Sequence, residues 1–77
     1  MTLEVTSRVE MVIALATEHP FDGRQPIDVA HKAAQAILCD LNGRRGIGQE
    51  LDQLDDDLRI EITDILAAIV RKVATQN

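Results

Sequence analysis

An all-α fold, a small three-helix bundle with a short extra helical turn between the last two helices, is predicted from three features of the 77-residue sequence. Apolar residues recur at spacings of three and four, which collects them on one face of a helix. Turn and helix-stop signals separate the periodic segments. The last segment carries acid at its start and base at its end, the polarity that a helix macrodipole favours.

The first helix is predicted over residues 3–18. Val5, Val9, Val12, Ile13 and Ala16 share a face, with Glu4, Ser7 and Glu18 away from it. His19-Pro20 ends it, because a residue before proline is pushed out of the helical region. Phe21-Asp22-Gly23-Arg24-Gln25 reads as a loop with Asp-Gly as its turn signal.

Pro26 suits the first turn of a second helix over residues 26–41. Its stripe is Ile27, Ala30, Ala34, Ile37, Leu38 and Leu41, and the alanines allow a neighbouring helix to come close. Asn42-Gly43 is the expected left-handed stop. Beyond Arg44-Arg45-Gly46, the spacing of Ile47, Leu51 and Leu54 predicts a short helical turn over residues 47–53.

The final helix, predicted over residues 55–74, has the clearest periodicity: Leu58, Ile62, Ile65, Leu66, Ile69, Val70 and Val73 hold one stripe. The expected core is therefore Ile37, Leu41, Leu58, Ile62, Ile65, Leu66 and Ile69. Ile60, Ala67 and Ala74, spaced by seven, fall on the back of this helix. The short turn or the first helix is expected to cover them, with a homodimer seam as the alternative.

The chain has no internal repeat and no dividing linker, so residues 1–77 form one domain. A domain of this size buries only roughly 60% of its unfolded surface and needs oligomerisation or very regular packing to reinforce it. The single cysteine, Cys39, excludes an internal disulfide, and a reducing, cytoplasmic setting is expected. The start Met1-Thr2-Leu3-Glu4 lacks the basic residues of a signal peptide, and the longest apolar run, from Ile65 to Val70, is too short for a membrane span. A net charge of −5 disfavours nucleic acid and anionic membranes. With Phe21 as the only aromatic residue, there is no base-stacking platform.

No arrangement of polar residues has workable catalytic or metal spacing, and no cofactor is expected. The carboxylates Glu50, Asp52, Asp55, Asp56 and Asp57 lack the alternation and central glycine of a calcium loop. Capping and dipole complementarity explain them. His31 and Cys39 lie about 12 Å apart along a helix, too far for proton transfer or shared coordination. Arg44-Arg45-Gly46-Ile47-Gly48 does not match a phosphate-binding loop, and a helix-turn-helix reading would aim three aspartates at phosphate. Arg44 or Arg45 is expected to reach the carboxylates at the start of the final helix.

The stretch from Ala34 to Ile47, with Asp40-Leu41-Asn42-Gly43-Arg44-Arg45-Gly46-Ile47 at its centre, is followed by Leu54-Asp55-Asp56-Asp57-Leu58-Arg59-Ile60-Glu61-Ile62. It resembles a group of small uncharacterised helical proteins encoded by bacteriophages and prophages of proteobacteria. The pattern is a helix ending in leucine, a turn with paired arginines and Gly-Ile, and an aspartate-rich start to a last helix with Glu-Ile. The resemblance implies a phage or mobile-element origin, where short acidic proteins bind and block a host protein or defence complex, anti-CRISPR proteins among them. A nucleic-acid-associated regulator and a phage assembly factor are the alternatives. The expectation is a non-enzymatic protein whose contact surface includes Arg44, Arg45, Asp55, Asp56 and Asp57.

Overall fold

The computed structural model describes residues 3–76, with side chains from Val5 onward, so the expected outward position of Glu4 lies outside the described residues. It is all-α, with four helices and no strand among the described residues: α1 (Leu3–Glu18), α2 (Val29–Asn42), α3 (Ile47–Asp52) and α4 (Asp56–Ala74). Among the described residues, no helix is long and apolar enough to cross a membrane.

The punctuation acts largely as the sequence predicts. Leu15 O accepts from His19 N (2.7 Å) as α1 ends before Pro20, and Gly23 N donates to Pro20 O (3.0 Å) in a turn with Gly23 at φ 80°. The start of α2 differs. It begins three residues after Pro26, because Asp28 is its N-cap and accepts from His31 N at 2.8 Å.

The end of α2 also differs from expectation. Gly43 is right-handed (φ −84°), with its N–H shared among the last-turn carbonyls, and the left-handed glycine is Gly46 (φ 88°). The chain turns tightly there so that α3 can cross the end of α2. A Cβ built on Gly48 would collide with the Asn42 carbonyl, so this crossing depends on glycine.

Helix α2 is central: α1, α3 and α4 each pack on it, and among the described residues no Cα of α1 lies within 8 Å of one in α4. The end-to-end ion pairs show that both long neighbours run antiparallel to α2. Arg8 of α1 meets Asp40 near the end of α2 (2.6 Å), and Arg71 near the end of α4 meets Asp28 at its start (2.7 Å). Both pairs are exposed, so solvent screens them and they contribute little to stability.

The buried face of α4 is rotated from the one expected, keeping Leu66 and Val70 at its edge. Ala67 and Thr63 are the fully buried residues of α4, and Ala67 packs on Ala30 and Ala34 with Leu66 and Val70 alongside. Small side chains on both helices allow close approach, and Thr63 satisfies its hydroxyl by bonding Arg59 O at 2.7 Å. Four of the seven expected core residues lie outside: Ile65 is 54% exposed and Ile69 51%, with Ile37 and Leu58 also exposed. Leu41, Ile62 and Leu66 are half-buried. Ala67, assigned from its spacing to the back of the helix, is covered by α2 rather than by α3 or α1.

Candidate protein-binding surface

The loop between α1 and α2 holds the one extensively buried polar network among the described residues. Asp22, whose side chain is wholly buried, accepts from Arg24 N (2.9 Å), from the Arg24 guanidinium (2.6 and 2.9 Å), from Gln35 Nε2 (2.8 Å) and from His31 Nε2 (3.1 Å). Burial pushes its carboxyl pKa upward, but the Arg24 amide, His31, the Arg24 guanidinium and Gln35 together hold it below the ordinary carboxylate value. Arg24 also reaches Asp64 of α4 at 2.7 Å, tying the loop across the fold.

An aspartate beside a histidine invites a catalytic reading, and the geometry argues against one. Ile27 N donates to His31 Nδ1 (3.1 Å), which places the ring proton on Nε2, where it serves Asp22. Both ring nitrogens are thus committed, and the side chain is buried. Gln35 Nε2 is equally occupied, by Asp22 and by Arg24 O at 2.8 Å, although its Oε1 is buried without a partner. This network holds the loop on α2.

The charged residues singled out in the sequence are placed differently from one another. Asp55 caps α4, accepting from Leu58 N at 2.9 Å, and Asp56 and Asp57 follow in its exposed first turn. Arg44 does not reach these carboxylates. It pairs within its own segment with Asp40 at 2.9 Å, where Arg8 also binds. Arg45 is exposed and has no ion-pair partner among the described residues.

The stapling expected of Arg44 or Arg45 is done by Arg59. Its guanidinium donates to the carbonyls of Leu51 (3.0 Å), Phe21 (3.3 Å) and Leu54 (3.4 Å), and lies 4.7 Å from the Phe21 ring centroid. Asp52 stands 3.7 Å away. One side chain therefore pins the α1–α2 loop and the α3–α4 connection to α4. Sequence reading missed Asp22, His31, Gln35 and Arg59 in these roles. The only available signal was a polar residue beside the single aromatic, in Phe21-Asp22.

Two concave regions flank this frame. A groove of about 700 Å³ between α1 and α2 is lined by Val9, Val12, Ile13, Ala33, Ile37 and Leu41, with Arg8, Lys32, Asp40 and Arg44 on its rim. A polar depression beside Phe21 and Arg59 includes Asp52 and Asp56. Among the described residues, no three histidines, cysteines or acids come together in a metal-holding group. Cys39 is half-buried, and burial followed by the neighbouring Asp40 raises its thiol pKa, so its reactive thiolate is disfavoured. Comparison of the chain with known protein families, with curated proteins and with solved structures gives no match.

Proposed function

We propose that this chain is a non-enzymatic, protein-binding protein of phage or mobile-element origin that acts by blocking a host protein or defence complex. One observation carries the proposal of a binding surface. Arg45, Asp56 and Asp57 are exposed without ion-pair partners among the described residues, on a segment that Arg59 pins from beneath. Arg59 fixes the backbone of this segment at Leu51 and Leu54, and the charged side chains on it offer directional hydrogen bonds to a partner. Asp55 belongs to the same surface while capping α4, and Arg44 contributes at its edge through the Asp40 pair. The phage origin and the blocking role rest on the sequence resemblance around residues 34–62.

Capture from host lysate with the intact chain, with melting temperature measured in parallel, tests the reading. Arg45→Ala and Asp56→Asn should abolish capture and leave the melt unchanged, and association should accelerate at low salt. A lowered melt with capture retained would assign these residues to the fold alone.

A further inference from the structure

The described fold leaves more surface uncovered than a chain of this size should. Its accessible area is 5543 Å², whereas a compact monomer of 8.5 kDa exposes about 4,650 Å². The excess of about 900 Å² matches the roughly 800 Å² that each partner contributes to a stable protein–protein interface. The radius of gyration, 12.6 Å, likewise exceeds the about 11.5 Å expected of a compact chain of this length. The buried apolar core explains the shortfall, because five of its eight residues are alanine (Ala16, Ala30, Ala34, Ala36 and Ala67).

Large apolar side chains are exposed on α1, on α2 and on α4, and those of α4 form one continuous stripe. On α4, Leu58, Ile65, Ile69 and Val73 are 42–60% exposed, and half-buried Ile62 completes the stripe. That stripe lies roughly 140° round the helix from Thr63 and Ala67, so α2 cannot cover it. Its flank is patterned by charge. Glu61 lies in the N-terminal half and Lys72 in the last turn, on the same side of the stripe, both exposed and without ion-pair partners among the described residues. Eleven residues of helix, about 16 Å, keep them from meeting within one chain.

We propose that the occupant of this face is a second copy of the chain, joined through an antiparallel pairing of α4 about a two-fold axis. Antiparallel register sets Ile65 against the partner's Ile69 and, in the same alignment, brings Glu61 to the partner's Lys72, twice over by symmetry. In this arrangement the two helix dipoles oppose. A parallel pairing would instead oppose like charges. The pairing uses a different surface from the charged segment of residues 45–57, so the two proposals stand or fall separately.

Native mass spectrometry and sedimentation of the full chain, at about 50 μM protomer, should give a species of twice 8.5 kDa. Glu61→Lys and Lys72→Glu sit at exposed positions, so both variants should keep their helical circular dichroism. Each alone should weaken self-association by about ten-fold, since it sets like charges together at both symmetric contacts. Mixing the two restores both opposite-charge contacts, so heterodimer should exceed the statistical half of the dimer population. A monomer or a larger oligomer of the wild type overturns the proposal, as does random mixing of the two variants.

Discussion

Asp22→Ala tests whether the fold depends on the buried network more than on its small apolar core. The side chain of Asp22 is wholly enclosed and receives five hydrogen bonds, so its removal orphans the Arg24 amide and the His31 Nε2 proton. Gln35 Nε2 keeps Arg24 O, and the Arg24 guanidinium keeps Asp64, so neither is counted. Two donors left without partners, one buried and one part-buried, cost about 1–3 kcal/mol each, or about 2–6 kcal/mol together. For a domain of this size, each kcal/mol lowers the melting temperature by about 4–8 °C, so a fall of roughly 10 °C or more is expected. The acid limb provides an independent check. Because the folded-state pKa of Asp22 lies below 3.8, its stabilisation is full above that pH and is lost as pH falls through the folded value. Asp22→Asn should therefore flatten the stability–pH curve below about pH 4, although Asp28, held down by Arg71, and Asp40, held down by Arg44, keep some slope there. Urea melts of the wild type and both variants from acid to neutral pH measure these effects. A melt of Asp22→Ala within a few degrees of wild type at neutral pH would refute the assignment of the network as the fold's main polar fastening.

Gly48→Ala should destabilise by about 1–3 kcal/mol, because its Cβ meets the Asn42 backbone carbonyl and not a side chain that could move aside; a thermal melt reads this directly. Arg59→Lys should loosen the α3–α4 connection and the α1–α2 loop together, since an ammonium cannot serve three carbonyls in a fixed fork; faster amide exchange in both segments, with α2 unchanged, is the expected pattern. For the wild type, the melting temperature should rise with protein concentration, and Ile65→Ala should abolish most of that rise, since Ile65 is more exposed than buried within one chain. Addition of EDTA should leave the helical signal and the melt unchanged.

Helix positions were legible because they rest on local chemistry. Proline and Asp-Gly stop and turn the backbone wherever they occur, and Asp55 caps α4 through its own side chain whatever packs nearby. The left-handed stop was misplaced from Gly43 to Gly46 for a tertiary reason: α3 folds back onto Asn42, and the sharp turn that this requires comes three residues later. Arg59 was equally hidden. Its carbonyl partners lie in two connections whose meeting depends on how α1, α3 and α4 are arranged around α2.

The rotated face of α4 shows what periodicity does and does not report. A stripe at spacings of three and four states that one face leaves water, and both faces of α4 satisfy some version of that statement. Bulk favours the isoleucine face as the larger source of transfer energy, while close approach favours the alanine face, where Ala67 meets Ala30 and Ala34. Within one chain, close approach prevails because His31, Gln35 and Asp22 already fix which side of α2 meets the loop, leaving Ala30 and Ala34 to receive α4. The isoleucine face then remains without cover. Burying it against another copy uses both periodic faces of the same helix, which accounts for a sequence too apolar for the small core that a single chain assembles.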